Sequence, residues 1–154
     1  MKNIASIDDL RQLARRKVPR AFYDYAASGS YNEETLRANR ADLEAIKLRQ
    51  RILVDVSARS LATTVVGQKL AAPFILAPVG LLGMQHGDGE ILAARAANEA
   101  GIPFTLSTMS ICSIEDVAEA TGKPFWFQLY VIKDRGFSKD LLARAQAENC
   151  NVDR

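Results

Sequence analysis

Three short apolar runs, 74–77, 103–108 and 125–130, recur through the second half of the chain, and each is followed by a helical pattern. Phe74-Ile75-Leu76-Ala77 carries no charge and stands between Pro73 and Pro78, which predicts a strand buried on both faces. Pro78 ends that strand because it has no N–H to give a ladder, and Gly80 permits a sharp turn. A loop containing Gly80, Gly83, Gly87 and Gly89 leads into an alanine-rich helix over 90–100, closed by Gly101. Ser113 caps the next helix, with Ile114, Val117 and Ala118 facing inward and Gly122 and Pro124 ending it. The third run leads to a helix over 138–148. Three strand–helix units with largely apolar strands predict a parallel sheet covered by helices.

The residues before this repeat follow a helical period. Ser6 and Asp9 form a capping pair for a helix whose apolar face is Ile7, Leu10, Leu13 and Ala14. Pro19 breaks that helix and opens a second over 20–27, which ends at Ser28-Gly29-Ser30. A third spans 33–45 with Leu36, Leu43 and Ile46 as a sparse apolar side. Residues 52–56 read as extended, and 63–66, Gly67 and 68–70 as a small hairpin.

This order fits the opening of a (β/α)8 barrel or of a doubly wound sheet. A complete barrel takes about 250 residues, and this chain has 154, so an interrupted barrel is expected. Hydrophobic and charged fractions of 48% and 25% are ordinary for a globular protein, and a net charge of +2 gives no reason to expect nucleic acid. No apolar run approaches the roughly 18 residues of a membrane span. Cys112 and Cys150 have no metal-ligand spacing, which points to a reducing cytoplasm and to no metal.

Ligand-binding residues of a barrel sit at the C-terminal ends of its strands. Here those ends supply Pro78-Val79-Gly80, then Ser107-Thr108, then Gln128 and Tyr130. Backbone groups, hydroxyls, an amide and a phenol suit a planar heteroaromatic ligand with donors and acceptors on its edge. The bland alternative is that such groups cap the barrel mouth. His86 is the single histidine, in a glycine-rich loop with no orienting partner in view, and the adjacent Glu115 and Asp116 complement the dipole of their helix. The glycines of 80–89 match neither dinucleotide nor P-loop spacing.

The same residues resemble the FMN-dependent α-hydroxy acid dehydrogenase and oxidase family. The matches are Tyr23-Asp24-Tyr25 with Ala27-Ser28-Gly29, Arg51-Ile52-Leu53 with Asp55-Val56-Ser57, Ala77-Pro78 with Gly80, Leu106-Ser107-Thr108, and Phe127-Gln128-Leu129-Tyr130. They keep the family's order and spacing over 6–149. The stretches 48–53, 77–81 and 126–130 with 134–137 are most similar to its bacterial quinone-linked L-lactate dehydrogenase branch. The resemblance implies the N-terminal part of a TIM (β/α)8 barrel, preceded by a helical segment and a small hairpin, with FMN as cofactor. It implies oxidation of an L-2-hydroxy acid, L-lactate to pyruvate, with electrons passed to a quinone-type acceptor. It places Tyr25 on the substrate carboxylate and gives Tyr130 a catalytic place beside the substrate hydroxyl. Pro78, Val79 and Gly80 would line the flavin, while Ser107 and Gln128 would hydrogen-bond its edge. Val79 stands where several members have threonine, and Met109 where some oxidases have tryptophan.

The family's histidine base, its carboxylate-binding arginine and its phosphate loops come later in the barrel, and His86 precedes the second strand, so it is not that base. On this reading 1–149 is the N-terminal part of the barrel domain and 150–154 a divergent tail. The chain alone is expected to be inactive, and the alternative is a non-catalytic half-barrel remnant or partner-dependent fragment. A homo-oligomer is implied for a full-length form, in the cytoplasm or peripheral at the inner face of the cell membrane.

Overall fold

A computed structural model describes residues 4–150, which divide into two compact units on either side of Arg59 and Ser60. In the first unit, local signals set the helices. Ser6 accepts from the Asp9 N–H while the Asp9 carboxylate accepts from the Ser6 N–H, opening α1 (Ile7–Lys17). Pro19 is the N-cap of α2 (Arg20–Ala27), and α3 spans Glu34–Ala45. None of the three contains a buried residue. The stretch 52–56 is not continuously extended, because Leu53 takes a left-handed φ of 59°.

The second unit opens with an antiparallel hairpin, β1 (Thr63–Val65) and β2 (Gln68–Leu70), in the register Thr63 to Leu70. Val66 and Gly67 both have positive φ, 47° and 76°, the turn that matches strand twist in a two-residue hairpin. Next come α4 (Leu82–Gln85), α5 (Gly89–Ala100), β3 (Thr105–Ser107), α6 (Ile114–Thr121), β4 (Trp126–Gln128) and α7 (Arg135–Ala147). Strands β3 and β4 pair in parallel, Thr105 opposite Trp126, and Leu76 forms a parallel bridge to Phe104 on the other side. This is the start of a TIM-type barrel, an arc that does not close among the described residues.

Three expectations need correction. The run 74–77 is not buried on both faces: Phe74 is 59% and Leu76 37% exposed, and only one bridge forms there. The reason is that 74–77 is the edge of the arc, bridged on one side alone among the described residues, so its side chains lack covering neighbours. The glycine-rich loop contains a one-turn helix, α4, that its glycines disguise. Helix α7 begins a turn earlier than the sequence suggests, because Asp134 accepts from the Gly136 and Phe137 N–H groups as its cap.

Strand alternation decides where the core lies. Phe104, Leu106 and Phe125 point toward the helices and pack with Ala94, Ala97, Ile114, Val117, Leu141 and Ala145. The Phe104 and Phe125 rings meet at 6.3 Å, tilted by 58°. Cys150 is buried in this cluster, and the rest of the expected divergent tail, 151–154, lies outside the described residues. No helix among the described residues is long and apolar enough to cross a membrane.

Candidate active site

The residues that alternate with the core line a hollow on the opposite face of the sheet. Ile75, Ala77, Thr105, Trp126 and Gln128 line it from the strands, and the β1–β2 hairpin from one end, around a volume of about 800 Å³. The Trp126 indole N–H donates to Gln68 Oε1 at 2.7 Å, tying the hairpin to β4. In a closed barrel this interior is filled by layers of side chains. Only the rim formed by the C-terminal strand ends is therefore a candidate for binding.

At that rim the structure brings Ser107 and Gln128 together. The Ser107 hydroxyl donates to Gln128 Oε1 at 3.2 Å and accepts from the Met109 N–H at 3.1 Å. Ser107 is 4% exposed, so its hydroxyl orientation is fixed by these two partners. With Oε1 engaged, the Gln128 amide nitrogen keeps its two N–H groups without a partner among the described residues. Thr108 fastens the same strand end. Its hydroxyl donates to the Gln128 carbonyl at 2.6 Å and accepts from the Tyr130 N–H at 3.0 Å.

Gly80 belongs to this group. A Cβ built on it would stand 3.3 Å from the Met109 Cβ and 3.9 Å from the Ser107 hydroxyl, so a side chain there would press on the loop that follows β3. Leu81 takes a left-handed φ of 56°, held by its N–H donating to the Met109 carbonyl at 2.8 Å. Pro78 reaches the hollow, and Val79 is half exposed beside it. Tyr130 follows β4 with its side chain 54% exposed. Tyr25 is on α2 of the first unit and is 68% exposed. His86 is exposed, with Nδ1 2.7 Å from the Gly87 carbonyl and no carboxylate partner among the described residues.

Sequence reasoning named Thr108 at the strand end without its bonds, and missed Glu90. Thr108 stands next to a selected serine, and its double role follows from the strand end alone. Glu90 looks like an ordinary residue in the first turn of a helix, yet it is 1% exposed. Its Oε1 accepts from the Gly83 N–H at 3.2 Å and the Ile111 N–H at 2.9 Å. Burial pushes its pKa up, and these N–H groups, its own N–H and the Cys112 thiol more than offset that, leaving it below the usual carboxylate value. Burial and the same carboxylate raise the Cys112 thiol, which disfavours a reactive thiolate.

A flat ring with acceptors along one edge suits this donor set. The Gln128 N–H groups are donors such an edge would accept from, and the Gly80 turn leaves backbone without a side chain beside them. An isoalloxazine has that shape and chemistry, so the residues present fit the ring of FMN. Among the described residues no cluster of His, Cys, Asp and Glu is arranged to hold a metal ion.

Residues 14–152 match the FMN-dependent dehydrogenase family. L-lactate dehydrogenase of Haemophilus influenzae is 54% identical over 149 residues, covering 97% of this chain and 39% of the relative. The Yersinia pestis L-lactate dehydrogenase is 54% identical over 144 residues, 94% of this chain and 38% of its own length. Among solved structures, a soluble mutant of the membrane-associated (S)-mandelate dehydrogenase of Pseudomonas putida superposes with a TM-score of 0.86 at 38% identity, covering 95% of this chain and 42% of that one. A mandelate oxidase gives a TM-score of 0.85 at 37% identity, covering 96% and 43%. The chain thus spans about two fifths of the length of the curated relatives it matches. With the parallel arc, the strand-end donors and these likenesses in agreement, the chain belongs to the FMN-dependent dehydrogenase family, whose cofactor is FMN.

Proposed function

We propose that these residues supply the first part of the active site of an FMN-dependent L-2-hydroxy acid dehydrogenase that oxidises L-lactate to pyruvate and passes the electrons to a quinone-type acceptor. The Ser107–Gln128 pair carries the reading, because it leaves a fixed amide donor at a strand end. FMN, when bound, supplies the two-electron acceptor. Gln128 and Ser107 orient the edge of its ring, and the backbone of Pro78, Val79 and Gly80 lies along it. Tyr130 holds the substrate hydroxyl, and Tyr25 donates to the substrate carboxylate.

General base catalysis is worth roughly 10²–10⁴-fold, and the one histidine of these residues, His86, has no orienting carboxylate. A polypeptide of these 154 residues alone is therefore expected not to turn over L-lactate. The test is to purify it with added FMN under anaerobic conditions and add L-lactate. The yellow colour should remain; FMN held tightly and bleached by L-lactate overturns the inactivity. In a second arm the chain is fused to the remaining length of the Haemophilus influenzae relative. L-lactate-dependent reduction of a quinone analogue is expected, and a flavin-loaded fusion that reduces none with L-lactate overturns the functional reading.

A second reading is a non-catalytic, partner-dependent half-barrel. The open sheet face around Ile75 and Trp126 favours it. A fusion that folds and stays colourless supports that reading over the first.

A further inference from the structure

Glu90 is the one buried side chain among the described residues with an oxygen, Oε2, that makes no hydrogen bond. A carboxylate in the first turn of a helix normally complements the dipole from solvent, and burying its charge is costly unless other groups compensate. Here much of the compensation comes from two backbone segments outside α5, beside the Glu90 N–H and the Cys112 thiol. Gly83, in the one-turn helix α4 of the loop after 74–77, and Ile111, in the loop after β3, both donate to Oε1. The two loops touch at the same place. A Cβ on Gly83 would lie 2.7 Å from the Ile111 Cβ, so the approach requires glycine. The Leu81 N–H to Met109 carbonyl bond joins the loops a second time.

These loops carry the two walls of the flavin edge described above. One holds Pro78, Val79 and Gly80, and the other holds Met109, whose N–H fixes the Ser107 hydroxyl against Gln128. We propose that Glu90 is a positioning residue: by binding the Gly83 and Ile111 N–H groups on one oxygen, it sets the spacing between the Pro78–Gly80 backbone and the Ser107–Gln128 pair. What that spacing serves rests on the FMN reading; the clamp itself does not. The carboxylate is needed because hydrogen bonds to a charged acceptor are stronger than neutral ones, and a single oxygen must restrain two loops.

The test is residue-resolved amide exchange on the full 154-residue chain, comparing wild type with Glu90→Gln, Glu90→Ala and Gly83→Ala. Exchange at Gly83 and Ile111 should quicken about tenfold or more in Glu90→Ala. Glu90→Gln, which keeps an acceptor oxygen, should fall between wild type and Glu90→Ala. Gly83→Ala should release Ile111 with the carboxylate intact. The core amides of Leu106 and Val117 should keep their protection. Unchanged protection at 83 and 111 in Glu90→Ala overturns the clamp, as does an equal loss through the whole core in Glu90→Gln and Gly83→Ala.

Free FMN at high concentration then serves as a probe of the amide resonances of Gly80, Met109 and Gln128. Shifts in wild type that shrink in Glu90→Ala, with partial recovery in Glu90→Gln, support positioning; equal shifts in all variants overturn it. If FMN moves none of these resonances in wild type, the cofactor reading of this edge fails, and the exchange results still decide the clamp.

Discussion

In the segment up to Arg59 none of the three helices contains a buried residue, whereas α5, α6 and α7 each bury at least two. The first unit shows what short-range devices do by themselves: a capping box on α1 and ion pairs one helical turn apart, such as Arg20 with Asp24 and Arg40 with Glu44. Such solvent-exposed pairs contribute little to stability. The second unit uses the same caps, Ser113 and Asp134, but adds a shared apolar core. Helix stability in proteins comes mostly from packing an apolar face, so the two units should respond very differently to the same substitution.

The largest contrast is expected from leucine truncation. Leu106→Ala removes a side chain with 0% exposure and should destabilise the second unit by about 3 kcal/mol. Leu13→Ala, at 39% exposure on α1, should cost less than about 1 kcal/mol. Urea unfolding of the two variants checks this, and equal shifts would erase the distinction. Asp134→Ala should come next, at about 1 kcal/mol, because two N–H groups at the start of α7 lose their acceptor.

A smaller effect concerns acid. Arg144 grips Glu115 with two bonds of 2.7 Å, linking α6 to α7, and this lowers the Glu115 pKa from 4.5 to about 2. A carboxylate whose pKa falls on folding stabilises the fold fully above its unfolded value and ceases to as pH drops through the folded one. The contribution should be present above pH 4.5 and fade toward about 2. Both side chains are around two fifths exposed, so solvent screening keeps it below about 1 kcal/mol. Arg144→Gln should flatten the pH dependence of the unfolding midpoint in that window. Smallest of all, Ser6→Ala should speed amide exchange in the first turn of α1 and leave the main unfolding transition unmoved.

What the sequence discloses follows the range of the forces. Ser6 with Asp9, Ser113 with Asp116, and the Val66-Gly67 turn are legible because their partners are near neighbours. Ser107 and Gln128 are legible as strand ends, since a parallel arc places such ends together. The role of Tyr25 comes only from family resemblance, as nothing in its local pattern singles it out. Glu90 is illegible because its partners are brought by folding, Ile111 from beyond a whole helix and a strand. The Trp126 bond to Gln68 is hidden for the same reason. The run 74–77 misleads in the other direction: its composition describes a strand covered on both faces, while among the described residues it is an edge held by one bridge and partly exposed.

The alternation along β4 has a consequence for mutation by insertion or deletion. Phe125 and Phe127 pack in the helix-side core, while Trp126 and Gln128 line the hollow, which Phe127 also borders. Parity largely separates the residues that hold the core from those that line the hollow. A single residue added or lost between Gly122 and Phe125 that the turn failed to absorb would shift the strand by one and exchange the two sets. An indole and an amide would then enter the core, and two phenyl rings would turn into the hollow. Stability and chemistry would be lost together in one step, so this turn should tolerate changes of residue type far better than changes of length.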